Sequence, residues 1–391
     1  MTAFALGVNY WPASSAMRMW ERFDDDEIAS DFRRCAAAGC DTVRFFLRWE
    51  DFQPDPASVD EVALVKLRRV ADLALRANVG LLPTLFTGHM SGVNWYPRWA
   101  LGSAPAGRFR SIASGRDVDR ATRDWADPPV LLAQALLARE CAAALAGHPA
   151  VRMWDLGNES SNCWVPLTRD DGRRWLADVT EAIRQVDART PITIGLHAED
   201  LEEDRRIGPA EAAEVCDVLC MHGYPMYLRW ARTRDDERVL PFLAEVTRWL
   251  GGGKDVLFEE FGAATRDPRD ADESRAADVL LDEEAAARYT ARALDAVAGA
   301  GCTGALLWCY ADYSPAIWRE PPLDEAVHER HFGLWRADGS PKPVVAELDR
   351  WRSAKRSAVP DATWIDLRRD EFYLRPLQNL AALYEAYLTR P

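Results

Sequence analysis

Short apolar runs alternate with amphipathic stretches of helical period through most of this chain. The first runs fall at 4–10, 42–47 and 79–86. Between them, 24–38 and 59–78 carry apolar residues three and four apart, as at Val62, Val65, Leu67, Val70, Leu73 and Leu75. The Asp-rich start near Asp24 and the stop at Gly39 suit the two ends of a helix. The same rhythm predicts strands at 151–158, 191–197, 217–222, 255–260 and 302–310, and helices over 130–146, 170–186, 209–215, 237–250 and 283–298, with a closing helix over 343–351. Many of the strands are continuous apolar runs, as in strands buried on both faces. The expected fold class is therefore α/β, a (β/α)8 TIM barrel over 1–352. A tail over 353–391, with a helical pattern at Leu377, Leu380, Leu383, Tyr384 and Tyr387, is expected to pack outside it.

Residues 87–128 interrupt the rhythm with some forty residues rich in Gly, Arg, Trp and Ser. Loops this long in a compact domain are usually functional, so this one is expected to wall the site at the barrel's carboxyl face. Residues 311–332 form a second candidate wall.

Composition narrows the partners. Lys and Arg number 48 and Asp and Glu 62, a net charge of −14 over 391 residues, which disfavours nucleic acid and anionic membranes. The eight Cys are scattered singly, so reduced thiols are expected. No signal-peptide pattern opens the sequence and no apolar stretch nears the roughly 20 residues of a membrane span, so a cytoplasmic location is expected. Sixteen Trp is high, and those in loops are candidates for stacking on sugar rings.

In such a barrel the chemistry sits where strands end. Strand two carries Arg44, strand four ends in Asn158-Glu159, strand six in His222-Gly223-Tyr224, strand seven in Glu260-Phe261-Gly262, and strand eight holds Trp308. Two carboxylic acids across a barrel mouth are what cleavage of a glycosidic bond needs, one to protonate the leaving oxygen and one to attack or activate water. Asn-Glu at a strand end is common by chance. Its weight comes from the other groups, each on its own strand.

These motifs resemble those of clan A glycoside hydrolases, and are most similar to family 5, over about residues 4–352; Gly7-Val8-Asn9-Tyr10-Trp11-Pro12 and Trp49-Glu50-Asp51-Phe52-Gln53-Pro54 add to the likeness. The resemblance implies Glu159 as acid/base and Glu260 as nucleophile. It implies Arg44 and Tyr224 holding Glu260 ionised, Asn158 donating to the sugar 2-hydroxyl, and His222 and Trp308 in the subsite of the reacting sugar. One departure is His89, three residues past the strand-three end where the family usually has a His.

The expected function is a retaining β-glycosidase acting on an oligosaccharide, exo-acting on β-mannosides, without cofactor or metal. β-Glucosidase, β-galactosidase, endo-β-mannanase, cellulase, transglycosylase and a non-catalytic sugar-binding barrel are the alternatives. Arg44 is expected to lower the Glu260 pKa while mutual repulsion raises that of Glu159. Glu259 is expected on the helix-facing side because strand residues alternate. His148, His197, His328 and His331 are read as loop or core residues. Trp95, Trp99, Trp164 and Trp318 follow strands, and of these Trp95 and Trp164 are carried forward as sugar-binding candidates. Oligomeric state has no sequence signal.

Overall fold

The computed structural model describes residues 3–390. Among them, eight parallel strands follow one another in the order β6-β7-β8-β1-β2-β3-β4-β5, where β1 is Ala5–Tyr10, β2 Thr42–Arg48, β3 Gly80–Thr87, β4 Trp154–Asn158, β5 Ile192–Gly195, β6 Leu219–His222, β7 Val256–Phe261 and β8 Gly304–Leu307. The seam between β5 and β6 is bridged at His197 and His222, where the His222 N–H donates to the Leu196 carbonyl at 2.8 Å. The result is a parallel barrel with helices on its outside.

Local chemistry starts the helices where expected. Asp24 caps Asp25–Ala37 by accepting from the amides of Asp26 and Glu27. Thr168 and Asp171 form a reciprocal capping box on Arg169–Arg184. Asn78, at φ 60°, ends Glu61–Ala77 in the left-handed region. In that helix Leu67, Val70 and Leu73 are buried, but Val62, Val65 and Leu75, expected on the same face, are exposed; small residues such as Ala63, Ala71 and Ala74 face inward instead.

Leu82, Cys220, Leu257 and Leu306 form a small apolar cluster apart from the main core. Each lies two residues before a residue of the carboxyl-end layer, Thr84, His222, Glu259 or Trp308, so alternation stacks that layer on an apolar floor.

Three departures follow from packing that local pattern does not encode. Residues 87–128 contain a four-stranded sheet of His89–Met90, Val93–Trp95, Arg110–Ala113 and Arg116–Val118, whose two- to four-residue strands are too short to show a period. The closing helix over 343–351 is two short 3-10 segments, Pro343–Glu347 and Asp349–Trp351. Pro128–Leu145 is long and apolar enough, by length and composition, to cross a membrane; half of it is buried among its neighbours in the barrel's outer ring. In the tail, Pro376–Leu388 sets the Tyr384 ring 5.0 Å from both Trp230 and Phe242 and donates the Tyr384 hydroxyl to Asp236 at 2.6 Å. All eight thiols are unpaired, and all but Cys163 are buried.

Candidate active site

Arg44, fully buried on β2, organises the mouth of the barrel. Its guanidinium donates to Asp155 (2.7 Å), Thr84 (3.0 Å), Asn158 (3.0 Å) and Asn9 (3.1 Å), meets Glu259 at 3.3 Å, and donates to Oε1 of Glu260. A buried guanidinium is tolerated only when its donors are used, and here four strands supply the acceptors. Gly195 on β5 makes room: a Cβ there would stand 2.9 Å from the Arg44 Nη2.

Glu260 is held from both sides, by Arg44 at Oε1 and by the Tyr224 hydroxyl at Oε2 (2.9 Å). Glu159 follows β4 with φ 46°, a left-handed backbone unusual for a residue with a side chain, of the kind that collects at functional sites. Its Oε1 faces His222 Nδ1 at 3.0 Å, its Oε2 accepts from Asn162 at 3.1 Å, and His197 and His89 stand 3.7 and 3.8 Å away. An oxygen of Glu159, an oxygen of Glu260 and a nitrogen of His222 lie within 4.8 Å of one another. That triad could also ligate a cation, but only by displacing the bonds from Arg44, Tyr224, Asn162 and the second carboxylate on His222.

That second carboxylate is Glu259, and it corrects the sequence reading. Glu259 is fully buried inside the barrel, with Oε2 3.2 Å from His222 Nε2, and does not face the helices. Pairing of β7 slips at this point against both neighbours, so Glu259 and Glu260 both turn inward.

The charges also order differently from expectation. Both His222 nitrogens face carboxylates, so although burial opposes its charge, Glu260, Glu159 and Glu259 push its pKa up to about 10. Burial pushes the Glu159 carboxyl up, but His197, His222 and His89 outweigh it and hold it below the usual range. For Glu260 burial prevails over His222 and Arg44, and the pKa is raised. The mobile proton thus rests on His222, one hydrogen bond from Glu159. A His pKa raised in the folded state adds stability that is complete below the unfolded value near 6.5 and is lost as pH rises toward 10. The stability difference between the protein and its His222→Asn variant is therefore expected to shrink from pH 7 to 10 in urea titrations. A difference constant over that range would remove the imidazolium.

The cavity above these groups, about 390 Å³, is lined by Asn158, His222, Tyr224, Trp308 and both glutamates, as expected. It includes His89, which the short hairpin His89–Met90 to Val93–Trp95 carries into the site. The hairpin turn, Ser91-Gly92, has both residues at positive φ, the two-residue geometry that matches strand twist. Trp95 and Trp164 do not reach the cavity. Trp95 is buried under the Arg48 guanidinium, and Trp164 stacks on Trp125. Trp99 packs on Trp49 and Trp318 under Arg330. His331 pairs with Asp270 in the core and His148 faces Asp72, away from the site. His197 and His328, read from the sequence as loop or core residues, line the cavity instead, together with Phe109, Tyr227 and Glu329, which sequence reasoning passed over. For His197 a signal existed, since it lies two residues past the end of β5.

No family model matches the chain. A putative mannan endo-1,4-beta-mannosidase 5 from Oryza sativa subsp. japonica is 24% identical over 316 residues, 72% of this chain; the chain spans 62% of that curated relative's length. An exo-beta-1,4-mannosidase from Opitutaceae bacterium strain TAV5 is 28% identical over 89% of this chain and 59% of its own, with a TM-score of 0.73. A GH5_18 structure from Streptomyces cattleya in complex with Manb1-4GlcNAc matches 99% of this chain and 90% of its own at 21% identity, with a TM-score of 0.78. In fold the chain is a (β/α)8 barrel like these structures, and in sequence it resembles the clan A glycoside hydrolases. Within that clan the resemblance is to family 5.

Proposed function

We propose that this chain is a retaining β-glycosidase that removes terminal β-mannosyl residues from short saccharides. The observation that carries the proposal is the approach of Glu159 and Glu260 oxygens to within 4.8 Å. Retaining enzymes hold their carboxyl groups about 5–5.5 Å apart, whereas inverting ones leave about 6.5–9.5 Å for a water between them.

In this reading Glu260, oriented by Arg44 and Tyr224, attacks the anomeric carbon while the bond to the aglycone oxygen breaks. That oxygen takes a proton from Glu159, which receives it from His222 Nδ1 across 3.0 Å. Water then attacks the glycosyl–Glu260 ester, giving up its proton to Glu159, which passes it back to His222 Nδ1, and releasing Glu260. Both glutamates end the cycle as they began.

Exo action is supported by two bonds that join loops around the cavity. The Ser91 hydroxyl donates to Glu329 at 2.9 Å, and Tyr227 and His328 meet at 2.7 Å. They close the side of Trp308. Phe109 and Arg108 line the side of His89 and Glu159, where the leaving group must sit. The mannose preference rests on the relatives, one of them an exo-beta-1,4-mannosidase and another bound to Manb1-4GlcNAc.

Proton NMR during cleavage of β-1,4-mannotetraose tests each part. Mannose is expected first, as the β-anomer, together with mannotriose. Mannobiose as first product would overturn the exo reading and α-mannose the retaining one, while cleavage of β-glucosides or β-galactosides in its place would overturn the sugar.

A further inference from the structure

Glu329 belongs to the second wall, residues 311–332, and has no part in the two-glutamate chemistry. It lines the cavity yet is 8% exposed. Its Oε2 is fully used, accepting from the Ser91 hydroxyl at 2.9 Å and from the Trp308 indole N–H at 3.2 Å. Its Oε1 accepts no hydrogen bond among the described residues; the His328 Nε2 stands 3.6 Å away. This oxygen is also absent from the sealed, unpartnered polar atoms of the core, a set that includes the neighbouring Tyr313 hydroxyl. Glu329 therefore has one oxygen that fixes the wall and one that is open to the cavity.

The placement is specific. Two donors from different parts of the chain hold Oε2, so the carboxylate cannot rotate Oε1 away without breaking both bonds. Trp308, whose indole it holds, offers a flat apolar face in the same cavity, itself packed edge-on to Phe46 at 6.0 Å. An aromatic face with a carboxylate at its edge is chemistry that suits a pyranose, with C–H groups over the ring and hydroxyls donating to the oxygen.

We propose that Glu329 reads the sugar to be removed, accepting through Oε1 a hydrogen bond from a hydroxyl on the ring edge remote from the anomeric carbon. The ligand class is a neutral, unsubstituted terminal hexopyranoside. A sugar blocked at that edge by a further residue meets the Ser91–Glu329 bond, and one lacking the hydroxyl leaves a carboxylate oxygen desolvated without a partner. The inference rests on the glycosidase reading and adds a specificity determinant to it.

The test compares the intact protein with Glu329→Gln and Glu329→Ala on p-nitrophenyl β-mannoside and its 3-, 4- and 6-deoxy analogues. The amide oxygen of Gln still accepts from Ser91 and Trp308, which keeps the wall in place if Glu329→Ala misfolds. On the parent glycoside, kcat/KM is expected to fall about 10- to 100-fold in Glu329→Gln. With the unaltered protein, one deoxy analogue is expected to lose a similar factor. The two losses should not multiply: Glu329→Gln should discriminate little between that analogue and the parent. A variant that loses the same factor on the parent and on every analogue would show that Glu329 only supports the wall, and would overturn the proposal. If the unaltered protein cleaves no β-glycoside, the glycosidase reading itself fails, and this one with it.

Discussion

Glu260→Ala is expected to lower kcat on aryl β-mannosides by about 10⁴- to 10⁶-fold, the scale seen when a covalent nucleophile is removed. No other group can take over. Glu259 is the neighbouring acid, but it is sealed inside the barrel between Arg44 and His222 and cannot reach an anomeric carbon in the cavity. Sodium azide offers a direct check on the assignment. In the space left by the side chain it should attack the face that Glu260 would have used and yield an α-glycosyl azide. In a Glu159→Ala variant, where the covalent intermediate still forms, it should yield the β-azide. The reverse pattern would exchange the two roles.

Arg44→Met is expected to have the largest effect on stability, about 3–5 kcal/mol, the range found when one partner of a buried ion pair is removed. The substitution leaves Asp155, Glu259 and Glu260 crowded in the barrel mouth with His222 as their remaining close cation. A fall in Tm of about 4–6 °C follows for a domain of this size. The deficit should lessen as pH falls, because carboxylates deprived of their cation have raised folded pKa values and gain stability on protonation. A variant as stable as the parent at neutral pH, or one whose deficit grows on acidification, would contradict this account.

Much of the site was legible because its groups sit at the ends of strands, where an apolar run gives way abruptly to Asn158-Glu159, His222-Gly223-Tyr224 or Glu260-Phe261-Gly262. Arg44 was legible for the opposite reason, as a cation inside an apolar strand that must find partners. The aromatic residues were less so. Trp95 and Trp164 follow strands just as Trp308 does, yet both fill packing space under the loops, because an indole in a long loop serves as that loop's own core. The proton order was not legible either, since it depends on three histidines from three separate elements converging on Glu159.

By itself the order of residues determined the β/α alternation, because hydrophobic period and helix caps act over a few neighbouring positions, and with it the strand ends that carry the two glutamates. Tertiary structure alone decided what depends on distances across the barrel. It turned Glu259 inward where β7 slips against its neighbours, and brought His89 and His197 to Glu159. It also joined Ser91 to Glu329, 238 positions apart, around the cavity. Local pattern carries no record of such meetings, since a hydrogen bond between two loops is set by where the barrel delivers their ends and not by the residues on either side of each partner.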